Sequence, residues 1–202
     1  MAMGADEKLG MTSEQATKML MDGNARFVSG NLTHPDQSAE RRAEVLSAQH
    51  PFAIVVTCSD SRVPPEVIFD QGIGDIFVIR TAGEVMDNAT LGSIEYGVEH
   101  LNVPLVVVLG HDSCGAVKAV VSGGEAPGHI GNLVEAIMPS VEKAKSMKGG
   151  DLLNNSIDVN TASIVEGLKS TEPILSKAVK EGKLKVIGAR YHLDNGEVEL
   201  QD

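Results

Sequence analysis

Three continuous apolar runs constrain the fold of this chain more than any other feature of its sequence. They occupy residues 52–57, 76–79 and 105–109. A strand that is apolar at every position, rather than at alternate positions, is typical of a parallel sheet that is covered on both faces. Residues 184–187 predict a fourth strand, and helical patterns follow most of these runs. The pattern therefore indicates an α/β fold.

Helical patterns fill much of the rest of the chain. Residues 12–29 begin with capping-box spacing from Thr12 to Gln15, and further helices are expected over 38–48, 91–101, 115–122, 129–147, 156–169 and 173–181. Asp194-Asn195-Gly196 predicts a hairpin, which makes residues 197–200 antiparallel. The predicted fold class is α/β, with a mostly parallel central sheet of four parallel strands and one antiparallel edge strand. Helices flank this sheet, and an N-terminal helical extension precedes it.

Composition restricts the classes of partner. The 202 residues include 17 basic and 28 acidic side chains, and the net charge of −11 disfavours nucleic acids and anionic membranes. No apolar run approaches the roughly 20 residues of a membrane span. The first eight residues do not resemble a secretory leader, so we expect a cytoplasmic protein, or a periplasmic one if a leader has been removed.

Two short segments carry the residue types of a metal site. Cys58 follows the first predicted strand, and His111 and Cys114 follow the third. Carboxyl ends of parallel strands meet at one edge of a sheet, so these side chains are expected to converge. Two thiolates and one imidazole suit a tetrahedral Zn²⁺ whose fourth position is left for water. We expect a helical turn to present His111 and Cys114 on one side.

The same segments resemble a known enzyme family. Cys58-Ser59-Asp60-Ser61-Arg62-Val63 and Gly110-His111-Asp112-Ser113-Cys114-Gly115 are similar to the paired motifs of the beta-class carbonic anhydrases. The resemblance extends over nearly the whole chain, from about Met19 to Leu200. It implies that Cys58, His111 and Cys114 bind zinc and that Asp60 and Arg62 form a catalytic dyad.

The implied reaction is the reversible hydration of carbon dioxide to bicarbonate and a proton, catalysed by a lyase. A zinc-bound water with a pKa lowered towards about 7 supplies hydroxide at neutral pH. The carboxylate of Asp60 would orient this hydroxide towards the substrate carbon. Arg62 would hold Asp60 through a bidentate pair and keep it from binding the metal. We therefore expect water or hydroxide, rather than Asp60, as the fourth zinc ligand at neutral pH.

The resemblance also implies a substrate pocket and a subunit interface. Gln49, Phe77 and Tyr96 match residues that line the pocket in one branch of the family, and Gly115 allows close backbone approach beside Cys114. In related proteins this pocket lies between subunits, and the N-terminal helices pack across a neighbour. We therefore expect a homodimer or a dimer of dimers. The expected single domain covers residues 1–202, with residues 1–30 as the N-terminal helical arm and residues 50–202 as the zinc-binding core.

Two other functions remain open at this point. The same scaffold would suit carbon disulfide or carbonyl sulfide as substrate, a choice that depends on the access tunnel and on oligomerisation. A non-catalytic zinc or redox protein would use Cys58 and Cys114 as a sensor. The presence of both Asp60 and Arg62 weighs against a sensor, because a structural zinc site needs no such pair.

Overall fold

The computed structural model describes residues 10–201, and a five-stranded sheet forms its centre. The strands are β1 (Ala53–Cys58), β2 (Ile76–Thr81), β3 (Leu105–His111), β4 (Lys185–Tyr191) and β5 (Val198–Gln201). Their order is β2-β1-β3-β4-β5, with β1 to β4 parallel and β5 antiparallel to β4. The predicted fold class is confirmed.

Eight α-helices accompany this sheet in the described part of the chain. They are α1 (Ser13–Val28), α2 (Ala39–Glu44), α3 (Pro65–Ile68), α4 (Asn88–Glu99), α5 (Gly115–Ser122), α6 (Ile130–Lys145), α7 (Leu152–Ser170) and α8 (Ile174–Lys180). Helix α3 was not expected, because a single turn is too short to show a periodic pattern. Helix α7 begins four residues earlier than predicted, where the side chain of Asp151 accepts a hydrogen bond from the backbone N–H of Asn154. No helix in residues 10–201 is long and apolar enough to cross a membrane.

Both faces of the sheet are covered, which explains the continuous apolar runs. Every residue of β1 and β3 is buried. Val55 and Val107 pack in the cluster that includes residues of α1 and α3, whereas Ile54 and Val106 pack in the cluster that includes residues of α4 and α8. Alternate side chains therefore enter two separate cores, which accounts for the apolar residues at consecutive positions of these strands.

Helix α1 lies on the sheet of its own chain. Its capping box between Thr12 and Gln15 is present, and Ala16 and Leu20 are buried in the cluster that contains Phe69. Asn24 donates to the carbonyl oxygen of Ile68 and accepts from the backbone N–H of Val198. The buried residues of α1 therefore pack on the core of their own chain, and contact between the N-terminal helix and a neighbouring subunit stays a prediction. The predicted arm covers residues 1–30, of which residues 1–9 lie outside the described part of the chain.

Candidate metal centre

The three predicted metal ligands converge at the carboxyl edge of the sheet. Cys58 is the last residue of β1, His111 is the last residue of β3, and Cys114 is the N-cap of α5. One ligand atom from each lies within 4.8 Å of the others, and all three residues are buried. The helical turn expected between His111 and Cys114 is wrong. His111 still pairs with Tyr191 of β4, and a tight turn with Ser113 at φ 53° leads to the helix.

The imidazole of His111 is oriented for metal binding. Its Nδ1 lies 2.8 Å from the carbonyl oxygen of Asp112. A carbonyl oxygen can only accept, so Nδ1 carries the proton and Nε2 keeps its lone pair. This Nε2 is buried and has no hydrogen-bond partner among the described residues. A buried unpaired acceptor is costly, and a metal ion at the cluster would satisfy it.

The two cysteines share a polarised environment. The backbone N–H of Gly83 donates to Cys58 Sγ at 3.3 Å. A hydrogen bond from the Cys114 thiol lowers the pKa of Cys58 to about 4, and the same interaction together with burial raises the pKa of Cys114. One thiolate is therefore already favoured without a metal, and a divalent cation would favour the second. The donor set fits a tetrahedral ion with one position open.

Asp60 and Arg62 form a closed ion pair beside this cluster. The backbone N–H and Nε of Arg62 both donate to Asp60 Oδ1 at 2.9 Å, and Nη2 donates to Oδ2 at 2.8 Å. These bonds outweigh partial burial and hold the pKa of Asp60 well below its usual range. Asp60 Oδ2 lies 3.9 Å from His111 Nε2. The carboxylate therefore stands next to the cluster while it is engaged by Arg62.

Arg80 supports the backbone of the same loop. Its Nε donates to the carbonyl oxygen of Cys58 at 2.9 Å, and its Nη2 donates to that of Asp60 at 2.6 Å. Because Arg80 lies on the neighbouring strand β2, these bonds fix the direction in which the loop leaves β1. Arg80 thus touches both motif residues through their main chain.

The predicted substrate-pocket residues do not all lie at the cluster. Gly115 follows Cys114, and a Cβ there would meet no described atom within 4 Å apart from its chain neighbours and the backbone of its own helix. Phe77 instead pairs with Ile54, four residues before Cys58, which is about 13 Å along the strand. The Tyr96 ring lies 6.4 Å from the Phe77 ring, and Gln49 is exposed ahead of β1. Within one chain, the structure does not bring Gln49, Phe77 and Tyr96 to the candidate metal ligands.

Two buried residues near the centre were missed by the sequence analysis. Asn160 of α7 donates to the carbonyl oxygen of Gly83 at 3.0 Å, which steadies the turn whose N–H reaches Cys58. Burial raises the pKa of Glu84 well above its ordinary value. No local pattern could have found Asn160, because 77 residues separate it from Gly83.

Comparisons with known proteins agree with the fold. A family model for carbonic anhydrase matches residues 53–198. A carbonic anhydrase of Mycolicibacterium smegmatis is 47% identical over 190 residues, which cover 92% of each chain. The solved beta-carbonic anhydrase CcaA superposes with a TM-score of 0.72 at 25% identity, over 92% of this chain and 95% of its own. One of two tetrameric beta-carbonic anhydrases of Sordaria macrospora has a TM-score of 0.68 at 25% identity, over 78% of this chain and 84% of its own.

The match to the family model spans more than half of the chain, and the similar structures share its sheet and helices. The chain therefore belongs to the beta-class carbonic anhydrases, a family of lyases.

Proposed function

We propose that this chain catalyses the reversible hydration of carbon dioxide to bicarbonate and a proton, with zinc held by Cys58, His111 and Cys114. One observation carries the proposal. The unpaired Nε2 of His111 lies within 4.8 Å of two cysteine Sγ atoms, beside the ion pair of Asp60 and Arg62. A structural zinc site has no use for that ion pair, whereas a hydrating enzyme does.

Zinc, when bound, supplies Lewis acidity that makes hydroxide available from water at neutral pH. The protein contributes charge and geometry. Two thiolates balance the charge of the ion, so the centre stays neutral towards an uncharged substrate. The donor set of one imidazole and two thiolates leaves one tetrahedral position for water.

Asp60 orients the attacking water. Its Oδ2 is the carboxylate oxygen nearer to His111 Nε2, and it accepts only from Arg62 Nη2 among the described groups. It retains a lone pair that can accept a hydrogen bond from water in the site. Arg62 holds both carboxylate oxygens, which supports water rather than Asp60 as the fourth ligand at neutral pH.

The substrate pocket is completed, in this proposal, by a second copy of the chain. Gln49, Phe77 and Tyr96 lie away from the cluster of their own chain, and the Tyr96 side chain is exposed. They can line a carbon dioxide pocket only at the cluster of a neighbour, where Gly115 leaves space. The tetrameric assembly of the Sordaria macrospora proteins supports a homodimer or a dimer of dimers.

The domain organisation and the compartment are part of the same proposal. Residues 1–202 form one domain, with residues 1–30 as a helical arm and residues 50–202 as the core. The enzyme acts in the cytoplasm on a small molecule, and nucleic acids and membranes are not its partners. The net charge of −11 supports the last point.

Metal content and activity, measured on the same samples, test the proposal. The wild type is expected to contain stoichiometric zinc and to hydrate carbon dioxide in stopped-flow assays. Cys114→Ala and His111→Ala are expected to lose both properties, because a site with two protein ligands binds zinc far more weakly. His129→Ala, at an exposed histidine, serves as control and should change neither.

Two outcomes would contradict the proposal. Stoichiometric zinc in Cys114→Ala would refute the ligand assignment. Full zinc occupancy without hydration would favour an alternative: turnover of carbon disulfide or carbonyl sulfide would indicate a changed substrate, and its absence would indicate a zinc or redox sensor.

A further inference from the structure

A polar network adjoins His111 at the carboxyl ends of β3 and β4. The Asp112 carboxylate accepts from three groups of one segment, which comprises the end of β4 and the two residues after it. Arg190 Nε donates to Oδ1 at 2.7 Å, while His192 Nδ1 and the backbone N–H of Leu193 lie 3.1 and 3.3 Å from Oδ2. The carboxylate is therefore held on both of its oxygens, and the hydrogen bonds come from the strand next to the one that carries His111.

Arg190 connects this carboxylate to a helix. Its Nη1 donates to Asp158 Oδ1 at 2.9 Å, and its Nη2 contacts the side-chain oxygen of Asn154. Both acceptors lie on α7, and Gln201 of β5 also donates to Asp158. The guanidinium is largely buried, with 12% of the side chain exposed, so its position is set by α7 as well as by Asp112.

The network acts on His111 through the main chain of Asp112. The backbone N–H of Asp112 donates to the carbonyl oxygen of Tyr191 at 3.1 Å, and its own carbonyl oxygen receives the Nδ1 proton of His111. With the side chain and the N–H both held, the carbonyl has little freedom to turn. A histidine ligand whose second nitrogen is fixed in this way keeps one tautomer and one ring orientation.

We propose that Arg190 and Asp112 are positioning residues of the metal centre, because they keep the His111 Nε2 lone pair directed at Cys58 and Cys114. Neither side chain touches the metal or the substrate. The inference rests on one part of the proposed function, namely that the cluster binds zinc. Nothing in the two motifs points to Arg190, which lies 79 residues after His111 in the chain and reaches the site by strand pairing.

Zinc affinity tests the proposal, with Arg190→Met as the main variant and Asp158→Asn as its matched control. Arg190→Met removes the guanidinium from Asp112, whereas Asp158→Asn weakens the far end of the same guanidinium and the hydrogen bond from Gln201, and leaves the contact with Asp112 in place. In competition with a chromogenic chelator at pH 7.5, Arg190→Met is expected to bind zinc about ten- to a hundredfold more weakly. Asp158→Asn is expected to stay within about threefold of the wild type, since Asp112 keeps its cation.

The spectrum of the cobalt(II)-substituted protein gives a second readout. A substitution that only lowers the stability of the fold would not shift it. The d–d bands report ligand geometry, so they are expected to shift in Arg190→Met and in Asp112→Asn and to remain in place in Asp158→Asn. Arg190→Lys, which keeps a cation for Asp112, should recover part of the zinc affinity. If Arg190→Met does not fold, Arg190→Lys and Asp112→Asn carry the test, because both retain the shape of the network.

The outcomes separate this inference from the proposed function. Wild-type zinc affinity and unchanged cobalt bands in Arg190→Met and Asp112→Asn would overturn the inference alone. An equal loss of zinc affinity in Arg190→Met and Asp158→Asn would also overturn it, since a general loss of stability would then explain both results. Zinc binding by the wild type that weakens in the variants as expected, together with no hydration of carbon dioxide, would overturn the proposed function and support the inference. A wild type without zinc would overturn both.

Discussion

His111 and Asp60 are each oriented by hydrogen bonds that leave a lone pair of the side chain available at the cluster. Nδ1 of His111 is held by the carbonyl of Asp112, which leaves Nε2 free for a metal. Asp60 is held by Arg62, which leaves a lone pair on Oδ2, the oxygen that lies 3.9 Å from His111 Nε2. In both cases hydrogen bonds fix the side chain in one rotamer before anything binds. This lowers the entropic cost of binding a metal ion or water at the lone pair.

Arg62→Ala is expected to abolish activity while zinc stays bound. Without the guanidinium, the pKa of Asp60 returns towards its ordinary value, and the carboxylate is free to bind the metal in place of water. Metal analysis and stopped-flow hydration are the measurements, and a crystal structure of the variant should show Asp60 on the ion. Substantial activity in this variant would contradict the assigned role. So would Asp60 on the metal in the wild type near pH 7.5.

Among the secondary-structure elements, α1 depends on a buried carboxylate. Asp70 accepts hydrogen bonds from Arg26 Nε, from the backbone N–H and hydroxyl of Thr33, and from the backbone N–H of His34. Its side chain is 1% exposed. Burial alone would raise the pKa of Asp70, but the bonds from Arg26 and Thr33 outweigh it and lower this pKa to about 2. The linker after α1 is therefore anchored to the core.

Asp70→Asn is expected to lower the free energy of unfolding by about 2 kcal/mol at pH 7, by linkage from the lowered pKa. Because that pKa is depressed, the stabilisation is present above pH about 4 and is lost as pH falls to about 2. The difference between variant and wild type in the free energy of unfolding, measured in urea, should therefore decrease as the pH falls over that range. Asp22→Asn, which breaks the exposed pair with Lys18 on the same helix, is the control and should cost less than about 0.5 kcal/mol. Equal effects at Asp70 and Asp22 would contradict the prediction.

For the molecule as a whole, the central question is whether one chain contains a complete site. The candidate metal ligands and the Asp60–Arg62 pair lie at the carboxyl edge of the sheet, whereas Phe77 lies towards the other end of β2. In an assembly where one subunit supplies the ligands and its neighbour supplies the pocket, the two groups of residues would lie at the same site. It also explains why Tyr96, a large ring, is 46% exposed in the single chain.

Mixed dimers test this arrangement directly. Cys114→Ala removes the metal from its own site, and Phe77→Ala damages the pocket that its chain gives to the neighbour. Each variant alone should be inactive or strongly impaired. After the two are unfolded and refolded together, one site in each mixed dimer combines intact ligands with an intact pocket, so activity should return. No recovery in samples that contain mixed dimers, or sedimentation of the wild type as a 21.3 kDa monomer at micromolar concentration, would contradict the proposed assembly.

The sequence by itself determined the fold class and the convergence of the three candidate ligands. Continuous apolar runs require a sheet covered on both faces, and ligands that follow parallel strands must meet at one edge. Tertiary structure alone decided where α1 packs, which nitrogen of His111 is free, and that Arg190 reaches Asp112. It also decided that Phe77 and Tyr96 lie far from the cluster. These are contacts between residues distant in the chain, and they depend on how all the elements pack together rather than on any local pattern.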